Sequence, residues 1–307
     1  MKIDIQAALM GHAIANDLAH GRQIFADTVS AYYSSDGIRF LKHHLHRFGG
    51  FDLTEERFSS FFHQPCGNNV FTKSILQAMA LAPSPGFNAF DNVREHIERF
   101  KDEVEFEVAR YLPDGESGVA LSEVAVYLLF GIRGTSIVLG NEIAVDLCDE
   151  SLYENGSLSL SRLKGAMAHE VHHIAVSHKC AALLDRAKSD TERARYAILE
   201  GLIGEGMASF YFTPFLSEQN SKQWERNLSG VEQKINALYA LLYDASTTAT
   251  QLAQTELALF GEDILGYTMG YFMIEKIHKA HGPAGVIALL SDFQLFDVYY
   301  ALSGFTK

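Results

Sequence analysis

Apolar residues recur at three- and four-residue intervals between charges over Ala7 to Tyr33 and Phe90 to Tyr111, the spacing of amphipathic helices. Residues 1 to about 111 read as helical, with breaks at Ser34-Ser35-Asp36-Gly37, Gly49-Gly50 and Ala82-Pro83-Ser84-Pro85-Gly86. Asp52 with Glu55 predicts a capping box opening a short helix. The period changes after Leu112-Pro113-Asp114-Gly115. Val124 to Phe130 is short and rich in strand formers, Gly131 to Gly134 supplies a turn, Thr135 to Leu139 is a second strand, and Glu142 to Leu147 alternates as a third. From Leu158 the pattern is helical again, with stops at Pro214, Gly261 and His281-Gly282-Pro283. The expected fold is α+β and mostly helical: a helical N-terminal region over 1-115, then a small antiparallel sheet and further helices over 116-307.

Composition refines this picture. With 307 residues, 48% apolar and 21% charged, the chain is an ordinary globular protein with room for a large core or about two domains. A net charge of −13 argues against nucleic acid as a partner and leaves open a cationic or neutral peptide. No run of about 18 apolar residues predicts a membrane span. The start, Met1-Lys2-Ile3-Asp4-Ile5-Gln6, lacks the apolar stretch and cleavage site of a secretory signal. Cys66, Cys148 and Cys180 are odd in number and widely spaced, and read as reduced, mostly buried thiols. Both features favour the cytoplasm; secretion requires that a signal has been removed. His43, His44 and His46 read as a solvated or half-buried helix face rather than a metal tract.

The chemistry is concentrated in His169-Glu170-Val171-His172-His173, an H-E-x-x-H within a helical pattern. Positions four apart lie one above the other on a helix, so His169 and His173 can both address one metal ion. Glu170 sits about 100° round the helix, where its carboxylate can take a proton from a water beside the metal. A catalytic zinc takes three protein ligands and keeps one position open, so a third is needed. His178 lies about 140° round a continuous helix from His173, and a metzincin would need glycine at Val176 and histidine at Lys179. His172 could pair with His169 at i, i+3, but an exposed or supporting imidazole fits it better. Glu200 and Glu205 fall on a following helix, and Glu205 is preferred. Gly204 and Ala208 flank it at one-turn spacing, and small residues there let two helices approach closely enough for a carboxylate to reach across.

With these residues the chain resembles the gluzincins, metallopeptidases with an H-E-x-x-H helix and a downstream glutamate ligand. It comes closest to families that carry a Glu-Gly-x-Ala glutamate helix, matched by Glu205-Gly206-Met207-Ala208, and a Y-x-x-G helix, matched by Tyr267-Thr268-Met269-Gly270. The resemblance covers about residues 120 to 285. It departs at Ser209, where many gluzincins place an acidic residue that orients a histidine. The resemblance implies a zinc metallopeptidase-like catalytic domain over 116-307, one Zn2+ per chain held by His169, His173 and Glu205, Glu170 as general base, and Tyr267 supporting the tetrahedral intermediate. Tyr271 is the substitute if that helix is rotated. It further implies a peptide or protein substrate, with an edge strand of the sheet pairing with extended substrate.

Two other chemistries use the same residues. Glu170-Val171-His172-His173 and Glu275-Lys276-Ile277-His278 are both E-x-x-H, as in di-iron carboxylate oxidases, with Glu205 and either Glu103 or Glu107 completing the set. A chain that binds zinc without turnover, a silent binding module, is the other.

Overall fold

The computed structural model describes residues 1–63, 70–84, 89–112, 121–131, 136–212, 218–261 and 263–303. Cys66 and the expected turns and stops at Pro85-Gly86, Pro113-Asp114-Gly115, Ile132-Arg133-Gly134 and Pro214 lie outside these residues. The protein is α+β and mostly helical. It divides into two compact units, one of Met1–Phe106 with Ala120–Glu170, the other of Glu107–Val119 with Val171–Lys307.

The first unit opens on strand β1 (Lys2–Asp4) and continues through helices α1 (Gln6–Ala19), α2 (Ala26–Tyr33), α3 (Asp36–Gly49), α4 (Glu55–His63), α5 (Val70–Leu81) and α6 (Ala89–Glu95). Helix α7 (Ile97–Ala109) begins there. Strands β2 (Ala125–Leu129), β3 (Ser136–Leu139) and β4 (Glu142–Asp146) follow, then a two-stranded ribbon of β5 (Tyr153–Glu154) and β6 (Ser157–Leu158). The sheet order is β1-β2-β4-β3. This corrects two expectations. Residues 2–4, placed in the helical region, form an edge strand parallel to β2, with Lys2 opposite Ala125. The main sheet is mixed, because β2 and β4 run parallel and only β3 and β4 are antiparallel. Through the pairing of β1 with β2, the first compact unit joins residues from both ends of its sequence range.

The C-terminal ends of β2 and β4 are tied by Asp146. Its fully buried Oδ1 accepts from the backbone N–H groups of Gly131 at 2.9 Å and Cys148 at 3.0 Å. Gly131 has φ 76°, and a Cβ there would stand 2.4 Å from that of Ala78, so only glycine fits this turn. One face of the sheet is packed by Tyr32, Ile38, Leu41, Phe58 and Ile75 with Tyr127, Leu129 and Ala144. On α3, His43 and His46 are exposed and His44 half-buried, as expected of a solvated face. Asp52 does not cap α4. It accepts from His46 Nδ1 at 2.8 Å, while Thr54 Oγ1 accepts the Arg57 N–H at 3.3 Å.

Helix α8 (Leu160–Leu184) is continuous through the division, which falls between Glu170 and Val171. The second unit holds its remainder with α9 (Asp190–Tyr211), α10 (Glu218–Leu228), α11 (Val231–Tyr243), α12 (Ala249–Leu259), α13 (Leu265–Ala288) and α14 (Leu295–Ser303). The predicted stop at Gly282-Pro283 appears as a kink inside α13, where Gly282 leaves helical geometry at φ 67°. Among the described residues no helix is long and apolar enough to cross a membrane.

Candidate metal centre

Helix α8 buries Met167, Ala168, Val171, Ile174 and Ala175, leaving His169, Glu170 and His173 half-buried. Helix α9 starts at Ser189, whose hydroxyl accepts the Glu192 N–H at 3.1 Å, while Glu192 accepts from the Lys188 N–H at 2.6 Å. These bonds satisfy donors that a helix start leaves open. From that start the helix carries Glu205 to His173. His173 Nε2 and Glu205 Oε2 lie 3.2 Å apart, with side chains 20% and 17% exposed.

One ligand atom from each of His169, His173 and Glu205 lies within 4.8 Å of the others. Ligands about 2.0–2.1 Å from a tetrahedral zinc stand roughly 3.3 Å from one another, so modest side-chain adjustment lets these three share one ion. Two imidazoles and a carboxylate form a nitrogen–oxygen set that suits zinc. Among the described residues this is the metal-capable group the structure gathers.

The other sequence candidates fall elsewhere. His178 is exposed. His172 is fully buried, with its ring centroid 5.3 Å from that of Phe212, so of the two expected alternatives, exposed or supporting, the exposed one is ruled out. The di-iron set is not assembled. Glu275 pairs with Lys279 at 3.2 Å, His278 meets the Tyr211 hydroxyl at 3.1 Å, Glu107 pairs with Arg110 at 3.1 Å, and Glu103 is held by Arg99 and Lys164.

Glu200 is not in the metal-capable group but lines the same cleft. That cleft, about 260 Å3, is bounded by His173, Ser177, Glu200, Gly204, Glu205 and Glu256. Burial pushes the Glu200 carboxyl above its usual range, helped by the charge of Glu256, while a hydrogen bond from Ser177 and the nearby His173 pull it back. Burial also raises Glu256. Sequence reasoning missed Glu256. It sits on an amphipathic helix among polar neighbours, and nothing in its local pattern sets it apart.

The role of the glycines also differs from expectation. A Cβ on Gly204 would meet His173 Nδ1 at 3.5 Å, an ordinary contact. The crowded position is Gly206, where a Cβ would stand 2.6 Å from the Gly270 carbonyl carbon. A Cβ on Gly270 would reach within 2.3 Å of the Leu202 carbonyl oxygen. The Glu-Gly-x-Ala and Y-x-x-G segments are thus the backbone crossing of α9 and α13. Tyr267, one turn before Gly270, is half-buried with its ring edge-on to Phe260 at 6.1 Å. Phe260 shares with Glu205 the wall of a neighbouring cleft of about 360 Å3. Tyr271 packs edge-on against Phe210 and Trp224 instead.

Two histidines and a glutamate gathered within 4.8 Å form a group that could hold a metal ion. A family profile described as "Putative zinc dependent peptidase (DUF5700)" matches residues 87–301, and the chain belongs to that family. No curated protein and no solved structure matches the chain.

Proposed function

We propose that the chain is a zinc-dependent peptidase of the gluzincin type, acting on a peptide or protein substrate with one zinc ion per chain. The observation that carries this is the convergence of His169, His173 and Glu205 within 4.8 Å. Those three side chains would hold the ion. When bound, zinc supplies Lewis acidity to a carbonyl and to water, lowering the water's pKa towards about 7. Glu170, adjacent to His169 on the helix, accepts the proton of the attacking water at its carboxylate and returns it to the leaving nitrogen. The Tyr267 hydroxyl donates a hydrogen bond to the developing oxyanion, a contribution whose loss costs on the order of 100-fold in rate. The resemblance of residues 120 to 285 to gluzincins and the family membership both support this assignment.

The test is Glu170→Gln. The variant keeps its zinc by metal analysis and loses peptide hydrolysis by about three orders of magnitude in a peptide-library digest. Full activity in the variant refutes the base assignment. A wild-type chain that binds zinc and cleaves no peptide identifies a silent binding module.

A further inference from the structure

The turn between α12 and α13 carries a backbone conformation that its residue does not favour. Ile264 has φ 44° and ψ 29°, the left-handed region, where a β-branched side chain is strongly disfavoured. Such a residue persists only where its surroundings over-determine it, and such positions cluster at functional sites. Here the surroundings are specific. The Asp263 carbonyl accepts from Asn227 Nδ2 at 2.6 Å. The Ile264 carbonyl accepts from the Thr268 N–H at 3.2 Å and from its hydroxyl at 3.0 Å. Asn227 Nδ2 also reaches Thr268 Oγ1, at 3.5 Å.

Asn227 itself is fixed. Its Oδ1 accepts from Gln223 Nε2 at 3.2 Å, which orients the amide, and its backbone carbonyl accepts from Lys234 Nζ at 2.9 Å. The residue is buried and Thr268 fully so. One amide therefore grips the backbone just before the strained residue, at the Asp263 carbonyl, and the side-chain hydroxyl of Thr268 after it. Tyr267 lies inside that grip, in the first turn of α13.

We propose that Asn227 is a positioning residue for the reaction, holding the first turn of α13 so that the Tyr267 hydroxyl keeps its aim. This rests on Tyr267 acting as the oxyanion donor. A rotation of the turn by about 10° swings a tyrosine hydroxyl by roughly 1 Å, a displacement that costs on the order of 100-fold in a preorganised site. Asn227 touches no reacting atom. Its effect on rate passes through Tyr267, and that separates it from a residue that only stabilises the fold.

The experiment is a cycle of Asn227→Asp and Tyr267→Phe, with Asn227→Ala as a second variant in case the added charge prevents folding. Asn227→Asp removes the donor and keeps the shape. It should lower kcat about ten- to hundredfold with KM and zinc content nearly unchanged, and add no further loss in the Tyr267→Phe background. A readout independent of turnover is the 19F resonance of 3-fluorotyrosine at position 267 in the metal-free protein, which should shift or broaden in the Asn227 variants. If the two losses multiply, or the resonance does not move, the clamp is merely structural and the proposal falls. If Tyr267→Phe is impaired while both Asn227 variants are not, the clamp alone is refuted. If Tyr267→Phe is fully active, the oxyanion assignment fails first and takes the clamp with it.

Discussion

The contact between Gly206 on α9 and Gly270 on α13 gives a sharp prediction, because it sets these two glycine substitutions against a third, at Gly204 on α9. At Gly270, a Cβ would lie 2.3 Å from the Leu202 carbonyl oxygen, about 1 Å short of ordinary van der Waals contact. The obstacle is helix backbone, which cannot turn aside as a side chain can. Helices α9 and α13 must therefore part by about that distance. Overpacking of this kind costs roughly 1–3 kcal/mol, and the backbone obstacle places Gly270→Ala at the upper end. For a unit of this size, that lowers the melting temperature by about 6–12 °C. Gly206→Ala, at 2.6 Å from the Gly270 carbonyl carbon, should behave alike. Gly204→Ala meets only His173 Nδ1 at 3.5 Å and should gain up to about 1 kcal/mol of helix propensity. Thermal unfolding of the three metal-free variants separates the cases. Zinc titration adds a second measure, since parting α9 from α13 displaces Glu205 and weakens the ion's hold. Equal melting temperatures for Gly270→Ala and Gly204→Ala would refute the close crossing.

Further expectations concern the ligands and the thiols. Glu205→Ala should weaken zinc binding by more than about 100-fold, since even changes behind a ligand cost 10–100-fold, whereas Glu200→Ala should stay within about tenfold; competitive titration with a chelator measures both, and the reverse order would move the third ligand to Glu200. Cys148 and Cys180 are buried and their thiols are pushed up, Cys180 to about 12, so neither should be alkylated by iodoacetamide in the native protein, as peptide mapping would show. The same shift has a consequence in alkali. Below pH 9.0 the Cys180 thiol is protonated in folded and unfolded chains alike. Between there and about 12 only the unfolded chain releases the proton, so stability falls as pH rises, by up to about 1.4 kcal/mol per pH unit. Cys180→Ala should flatten denaturation curves in that window, and an unchanged slope would count against the burial.

The features legible in the sequence are those encoded over a few residues. The i, i+4 spacing of His169 and His173 fixes their common face on any helix, and the strands at 125–129, 136–139 and 142–146 announce themselves by composition. The place of Glu205 beside His173 was legible for a partly mistaken reason. The small residue that matters beside it is Gly206, facing α13, and the need for it arises from Gly270, far along the chain. What was hidden depends on distant partners. Lys2-Ile3-Asp4 is too short to show a period and becomes a strand only because β2 offers it an edge. The parallel pairing of β2 and β4 leaves no local mark, since β3 intervenes in sequence. His172 looks like His169 and His173 in the motif, and only its burial beside Phe212 distinguishes it.

The hairpin of α8 and α9 bears on how such centres diverge. His173 stands about three turns before Leu184, where α8 ends, and Glu205 about four turns after Asp190, where α9 begins. The long gap between these two residues is therefore a loop of two antiparallel rods, and lengthening or trimming both arms by whole turns would leave the residues level. Spacing along the chain is then a free variable in this architecture, and a search for kin should fix the register of each rod and let the separation float.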